Sequence, residues 1–193
     1  MRIVAGRHKG RSLASHDGLD TRPTSDRARE AIFNVLIHGL GLTFDGAIVL
    51  DVFAGTGALG LEALSRGAFT ALYVDRSRAA LGLVRENAES LGESAHIKMY
   101  CRDALRLGGL PADGVPATIA FFDPPYGKGL LEPALSGAAS GGWLAPDAIC
   151  VLESHVDDVF DLPAGFVEED ARVYGKTRVR FLRYGRGKLA PTE

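Results

Sequence analysis

The sequence contains little cysteine and no pattern of metal ligands. Its two cysteines, Cys101 and Cys150, lie 49 positions apart. None of the five histidines has a spacing that would complete a metal site with them. We therefore expect both cysteines to be plain buried thiols, and we expect no bound metal.

Long apolar runs are absent as well. The longest, such as 47–50 and 118–122, have the length of a strand, whereas a membrane-spanning helix needs about 18 apolar residues. Residues 1–7 lack the apolar stretch of about 7 to 15 residues that a secretory signal contains. The two absences predict a cytoplasmic protein that does not bind a membrane.

The sequence has no internal repeat, and its one biased segment, rich in glycine, alanine and serine at 136–142, is expected to be a loop. Of the 193 residues, 46% are hydrophobic and 24% charged, which is typical of one globular domain. We expect a monomer in which residues 1–24 form a basic N-terminal hairpin or arm, 25–185 the core and 186–193 a tail.

The net charge of −2 conceals an uneven distribution. Residues 1–29 hold seven Lys or Arg and three Asp, and 172–190 hold seven Lys or Arg and no acid, whereas 30–171 hold eight basic and 20 acidic residues. Basic ends favour an anionic polymer as partner, because phosphate contacts supply most non-specific affinity for nucleic acids. Arg7, Lys9 and Arg11 are candidates for such contacts. Two solvated tails are the alternative interpretation.

The apolar pattern alternates between strands and helices. Strands are predicted at 48–50, 70–74, 97–100, 119–122 and 149–152, and helices at 25–39, 59–67, 77–91 and 130–135. Hairpins are predicted at 1–13 and, near the end of the chain, at 166–183. This alternation predicts an α/β fold with a mostly parallel sheet covered on both faces, which binds ligands at the carboxyl ends of its strands.

A glycine-rich turn follows the first predicted strand. Gly55, Gly57 and Gly60 match the pattern G-x-G-x-x-G, and Asp75 lies 20 residues beyond Gly55 at the end of the second strand. Glycines let the backbone turn sharply and approach a ligand, and an acid at this place accepts hydrogen bonds from ribose hydroxyls. The motif therefore predicts a nucleotide-like cofactor.

Asp51, directly before the glycines, discriminates between two cofactors. A pyrophosphate beside its carboxylate would be repelled, whereas the ammonium and sulfonium groups of S-adenosylmethionine would be attracted. The sequence thus favours S-adenosylmethionine over a nicotinamide dinucleotide. After the third strand, Asp103 offers an acceptor for the amino group of adenine, although an aspartate there is often only a helix cap.

The fourth strand is followed by Asp123, Pro124, Pro125 and Tyr126. The two prolines fix the backbone and remove N–H donors, so that the Asp123 carboxylate and a carbonyl can act as fixed acceptors. Such acceptors recognise an amino group and favour the pyramidal geometry with which it attacks a methyl group. Tyr126 offers an aromatic face for stacking on a base. This motif predicts methylation of an exocyclic base amine.

Three segments together resemble one known family. They are RPTSDRARE at 22–30, DVFAGTGALGLEALSRGA at 51–68 and DPPYGKG at 123–129. They are similar to segments of the bacterial 16S ribosomal RNA guanine-N(2) methyltransferases, the RsmD family. Matches at 2–7, 9–11 and 142–144 extend the resemblance over nearly the whole chain.

The resemblance implies a class I S-adenosylmethionine-dependent methyltransferase fold, which is Rossmann-like with seven strands, plus an N-terminal β-hairpin. It also implies a guanine of 16S rRNA, in the small ribosomal subunit or its assembly intermediate, as substrate. The implied cofactor residues are Asp51, Phe53, Ala54, Gly55, Gly57, Asp75, Arg76, Arg102, Asp103 and Ala104. The implied catalytic residues are Asp123, Pro124, Pro125 and Tyr126, and Arg22 and Thr24 join Arg7, Lys9 and Arg11 as substrate residues.

Three alternatives remain open on the sequence. An adenine-N(6) methyltransferase of DNA or of another RNA could use the same motif after the fourth strand. A nicotinamide-dependent dehydrogenase could use the glycine-rich turn. A non-catalytic RNA-binding module could retain a vestigial pocket.

Overall fold

The computed structural model describes residues 1–15 and 26–185. Arg22, Thr24 and the expected tail at 186–193 lie outside the described residues. The α-helices are α1 (Asp26–Asn34), α2 (Ala58–Ser65), α3 (Arg78–Leu91) and α4 (Leu131–Ser140). The strands are β1 (Ile48–Val52), β2 (Thr70–Asp75), β3 (Ile97–Cys101), β4 (Ala117–Phe122), β5 (Leu144–His155), β6 (Phe166–Tyr174) and β7 (Thr177–Tyr184).

The seven strands form one sheet in the order β3-β2-β1-β4-β5-β7-β6. The first five strands in this order are parallel, and β7 is antiparallel to both β5 and β6. The order reverses between β1 and β4, and in such sheets this is where the loops after the strands open a crevice for ligands.

Each face of the sheet carries its own apolar core. Side chains of α1, α2 and α3 pack against one face, and α4 with the segment around Trp143 packs against the other. Trp143 is fully buried, and its indole N–H donates to the Gly108 carbonyl over 2.8 Å. The predicted α/β class, the mostly parallel seven-stranded sheet and its two covered faces are confirmed.

The N-terminal residues form a short hairpin that lies on α2. Arg2 and Ser12 form one antiparallel bridge, and the Ile3 amide donates to the Arg11 carbonyl over 2.9 Å. At the tip, the Arg7 amide donates to the Ser65 carbonyl over 2.8 Å. A Cβ on Gly6 would lie 2.0 Å from that carbonyl oxygen, so the close approach requires glycine.

Several sequence predictions were wrong in detail. Most of the segment at 136–142 is helical and not a loop, because α4 continues to Ser140. Ala138 of this segment is buried. Strand β5 is longer than predicted and runs over Leu144–His155. Cys150 is buried as predicted, but Cys101 is exposed because it ends β3 at the edge of the sheet. The first helix changes after Asn34 into a π-helical turn over Val35–Gly39.

No helix within 1–15 or 26–185 is long and apolar enough to cross a membrane. In the same residues, no group of three or more His, Cys, Asp or Glu side chains is arranged to hold a metal ion.

Candidate active site

A cavity of about 670 Å³ opens at the carboxyl ends of β1, β2, β3 and β4. It brings together residues that the sequence predicted from four separate loops. The predicted residues that line it are Asp51, Phe53, Ala54, Gly55, Asp75, Arg76, Arg102, Asp103, Ala104, Asp123, Pro124, Pro125 and Tyr126. Gly57 is not among the lining residues; it is the N-cap residue directly before α2.

The glycine-rich turn adopts backbone conformations that favour glycine. Gly55 and Gly57 have φ angles of 53° and 76°, and Phe53 has a φ of 65° although it carries a bulky side chain. A left-handed conformation at such a residue is strained by about 1–2 kcal/mol, and strain of this kind concentrates at ligand sites. Gly60 has another role, because a Cβ there would lie 2.6 Å from the Tyr73 ring. It allows α2 to pack closely on β2.

Asp51 lies at the base of this turn and is 2% exposed. One of its carboxylate oxygens accepts a hydrogen bond from the Gly60 amide over 3.0 Å. The pKa of the Asp51 carboxyl is raised to about 8, mainly by burial and to a smaller extent by the nearby carboxylates of Asp123 and Asp75, against the lowering effect of the Gly60 amide. A cation bound beside Asp51 would favour its ionised form.

The raised pKa predicts how stability depends on pH in the ligand-free protein. Between pH 4 and 8, approximately, the folded state retains a proton on Asp51 that the unfolded chain releases, so this group lowers stability as the pH rises. We expect Asp51→Asn to become more stable relative to the parent by roughly 1–3 kcal/mol between pH 5 and pH 8. Urea unfolding at the two pH values measures this difference. Asp161→Asn, at an exposed aspartate, is the control for the loss of one negative charge. An effect of Asp51→Asn that does not change with pH would contradict the prediction.

Asp75, at the end of β2, accepts hydrogen bonds from two backbone amides that belong to different loops. One oxygen accepts from the Gly55 amide over 3.0 Å, and the other accepts from the Ser77 amide over 2.8 Å. Each carboxylate oxygen can accept a second hydrogen bond. The half-buried Asp75 thus orders the glycine-rich turn and keeps acceptor capacity for a ligand.

The segment after β3 lines the cavity and also contains the cap of a short helical turn. The Asp103 carboxylate accepts from the Leu105 amide over 3.0 Å and caps a 3-10 turn over Ala104–Arg106, which is the alternative that the sequence left open. The Arg102 guanidinium donates to the carbonyls of Leu107 and Gly109 and lies over the Trp143 ring. Its main role in this structure is to hold the segment against the core.

The residues after β4 line the cavity on the side away from β2 and β3. Pro124 is buried, Asp123 and Tyr126 are half-buried, and Pro125 is exposed. The Tyr126 hydroxyl lies 3.0 Å from the Thr177 hydroxyl at the start of β7. Asp51, Asp75 and Asp123 all line this one cavity, and the charges of Asp123 and Asp75 contribute to raising the pKa of Asp51.

Sequence reasoning missed a group of buried polar side chains beside the cavity. Glu62 is fully buried in α2 and accepts hydrogen bonds from the Val4 and Ala5 amides over 2.7 and 3.0 Å. Arg29 of α1 lines the cavity, and its Nε lies 3.7 Å from the Glu62 carboxylate. A lone glutamate in the apolar run LGLEAL was the signal that could have found this pair.

Asn87 is another buried residue that the sequence reasoning missed. Its side-chain amide donates to the carbonyls of Ala14 and Thr56, and its carbonyl accepts from the Ala14 amide over 2.6 Å. Met1 lines the cavity, and Asn87 connects Ala14 to Thr56 of the glycine-rich turn, so the N-terminal segment is linked to this site at both of its ends. Lys128 is a further lining residue that was not predicted.

The predicted substrate cations of the N-terminal hairpin lie away from the cavity. Arg7 forms a bidentate ion pair with the buried Glu93, and Arg11 donates to the Ser90 carbonyl over 2.7 Å. Lys9 is exposed and has no ion-pair partner in the described part of the chain. Since α3 contains 14 residues, these contacts lie about 20 Å from the cavity end of that helix.

The basic C-terminal segment is partly neutralised by its neighbouring strand. Arg180 and Arg183 of β7 pair with Glu168 and Glu169 of β6, and Arg172 pairs with Asp170. The local excess of positive charge counted along the sequence is therefore smaller in three dimensions. Within the described residues, Lys176 and Arg178 have no carboxylate partner.

Comparisons with known proteins match this chain over almost its whole length. The family model described as conserved hypothetical protein 95 matches residues 1–183. The ribosomal RNA small subunit methyltransferase D of Escherichia coli K12 is 36% identical over 181 residues, covering 93% of this chain and 88% of that protein. The chain belongs to the RsmD family.

A second relative and a solved structure agree with this assignment. YlbH of Bacillus subtilis is 37% identical over 183 residues, covering 93% of this chain and 96% of YlbH. The solved structure of YhhF from Escherichia coli superposes with a TM-score of 0.82 and 33% identity, covering 95% of this chain and 97% of YhhF. The class I methyltransferase fold implied by the RsmD resemblance is thereby confirmed.

Proposed function

We propose that this protein transfers the methyl group of S-adenosylmethionine to the exocyclic N2 amine of a guanine in 16S rRNA of the small ribosomal subunit. The observation that carries the proposal is a single cavity lined by both Asp51 with the glycine-rich turn and the catalytic segment from Asp123 to Tyr126. Membership of the RsmD family supports ribosomal RNA as the substrate, because the Escherichia coli relative is named for that activity.

The carboxylates that line the cavity fit S-adenosylmethionine. Asp51 and Asp75 offer carboxylates to a cationic group and to ribose hydroxyls, and Asp103 lies at the wall expected for adenine. A cationic group beside Asp51 favours its ionised carboxylate, whereas a pyrophosphate there would gain no attraction from it, which argues against the dehydrogenase alternative. When bound, the cofactor supplies an electrophilic methyl group on a sulfonium sulfur.

The protein's own residues act mainly by positioning the nucleophile. The Asp123 carboxylate and the Pro124 carbonyl accept hydrogen bonds from the two protons of the target amine, so its lone pair is less delocalised into the base and is directed at the methyl group. As the N–C bond forms and the bond from carbon to sulfur breaks to leave a neutral thioether, the amine loses one proton, which the Asp123 carboxylate is placed to accept. The Tyr126 ring stacks on the base. A paired base cannot enter such a pocket, so the target guanine must be unpaired or flipped out of its helix.

The positively charged side chains are spread over a distance that fits a substrate much longer than the cavity. Lys128 lines the cavity, whereas Lys9 lies in the hairpin tip that contacts Ser65 and Glu93, at the far ends of α2 and α3 and about 20 Å from the cavity end of α3. We infer that phosphates of the rRNA contact Lys9, Lys176 and Arg178, which have no carboxylate partner among residues 1–15 and 26–185. Ribosomal RNA as substrate also accounts for the predicted cytoplasmic location.

Nucleoside mass spectrometry tests the proposed function. The protein is incubated with S-adenosylmethionine and, separately, with small subunits that lack the modification, with naked 16S rRNA and with DNA. We expect N2-methylguanosine in at least one of the two rRNA samples and none in DNA. Methyladenosine as the sole product would support the adenine alternative and contradict the proposal, and no product in any sample would favour the non-catalytic alternative.

A further inference from the structure

We propose that Thr177 is a positioning residue that fixes the ring of Tyr126 for stacking on the target base. The Tyr126 hydroxyl and the Thr177 hydroxyl lie 3.0 Å apart, and the two residues are separated by 51 positions in the sequence. The inference rests on the proposed function, because it assigns Thr177 a role through the residue that stacks on the base.

The topology explains why this contact spans the site. Thr177 is the first residue of β7 and pairs with His155, the last residue of β5. Tyr126 follows β4, which lies on the other side of β5. The Tyr126 side chain therefore crosses the end of β5, with its ring centroid 6.2 Å from that of His155.

The chain around Tyr126 does not by itself fix the direction of the ring. The backbone before Tyr126 is restricted by Pro124 and Pro125, but Gly127 and Gly129 follow it with φ angles of 70° and 60°. Tyr126 is also only half-buried. A side chain that must be ordered when the substrate binds reduces affinity, whereas one that is already ordered does not.

Thr177 is well suited to hold the far end of the ring. Its β-branched side chain has few χ1 rotamers, so its hydroxyl has a defined direction. It lies at the start of a strand that is paired on both sides, with β5 and with β6. The hydrogen bond thus connects a loop residue of the cavity to a rigid part of the sheet.

A double-mutant cycle tests the proposal. We expect Thr177→Val and Tyr126→Phe each to lower kcat/KM for the rRNA substrate by roughly threefold to tenfold, mainly through KM, because each removes the same hydrogen bond. The double variant should then be no worse than either single variant, and Thr177→Ser should restore most of the activity. Binding of S-adenosylhomocysteine, measured by calorimetry, should be unchanged in all four.

Thr70→Val is the matched control. Thr70 is also the first residue of a strand, and its hydroxyl donates to the His96 carbonyl over 3.0 Å, but at the edge of the sheet opposite the cavity. We expect it to change thermal stability as Thr177→Val does and to leave KM unaltered. Full activity of Thr177→Val, or losses that multiply in the double variant, would overturn the proposal.

A second measurement does not depend on RNA methylation. The NMR signal of labelled tyrosine that disappears in Tyr126→Phe identifies the Tyr126 ring. We expect this signal to show faster ring averaging in Thr177→Val than in the parent protein, and unchanged averaging would overturn the proposal. An inactive parent protein with a Thr177-dependent ring signal would refute the proposed function while supporting the positioning contact.

Discussion

Replacing Asp123 by alanine is expected to reduce methyl transfer by at least about a hundredfold while the affinity for S-adenosylhomocysteine is retained. The carboxylate lines the cavity at the end of β4, which is separated by β1 from β2 and Asp75. It would contact the target amine rather than the ribose or the adenine of the cofactor. Transfer to unmodified small subunits measures the first effect, and calorimetry measures the second.

Two variants make this prediction specific. Asp123→Asn keeps a carbonyl acceptor for the amine, so we expect it to retain more activity than Asp123→Ala. The matched control is Asp113→Ala, since Asp113 is an exposed aspartate that pairs with Lys98 and does not line the cavity. Loss of cofactor affinity together with activity in Asp123→Ala would contradict the separate roles assigned to Asp123 and to the residues that bind the cofactor.

The parts of the site that could be predicted from the sequence are those with local causes. Glycines that permit positive φ angles mark the turn after β1, and two prolines mark the rigid segment after β4. Alternation of apolar strands with amphipathic helices places both segments at the same edge of a parallel sheet. A single cavity lined by Asp51 and Asp123 follows from these features, and the structure brings both residues to it.

Contacts between distant segments could not be predicted in the same way. The Glu62 carboxylate binds the Val4 amide 58 positions away, and Asn87 binds Ala14 73 positions away. Nothing in the local sequence around Glu62 specifies which donors it meets, because its neighbours determine only that it faces the core. A lone polar residue in an apolar helical stripe therefore predicts a buried partner without identifying it.

Charge is another property that the linear sequence describes incompletely. Counted along the chain, the segment from 172 to 190 is strongly basic. In the sheet, Arg180 and Arg183 lie beside the acidic residues of β6 and pair with them. Similarly, Arg7 at the tip of the hairpin is engaged by Glu93. The cations available to a phosphate are thus fewer than the sequence count, and they must be identified residue by residue.

The hydrogen bonds of Glu62 predict the largest effect on stability. The carboxylate is fully buried and accepts from the Val4 and Ala5 amides and from Arg66 Nε over 2.8 Å, with Arg29 close by. We expect Glu62→Ala to lower the free energy of unfolding by about 3–5 kcal/mol, because it leaves the Val4 and Ala5 amides and the Arg66 Nε–H without their acceptor. That is a large fraction of the roughly 5–15 kcal/mol that stabilises a typical domain. Urea unfolding measures the loss.

The pattern of the destabilisation distinguishes a structural anchor from a general effect of shortening a helical side chain. Glu86→Ala, on the exposed face of α3, is the matched control and should change stability by no more than about 0.5 kcal/mol. Hydrogen exchange at the Val4 and Ala5 amides should accelerate in Glu62→Ala before the sheet amides are affected, because these amides lose their acceptor directly. A loss below about 1 kcal/mol, or unchanged exchange at these two amides, would mean that the hairpin is held on α2 by its backbone contacts at Ser65 rather than by the buried carboxylate.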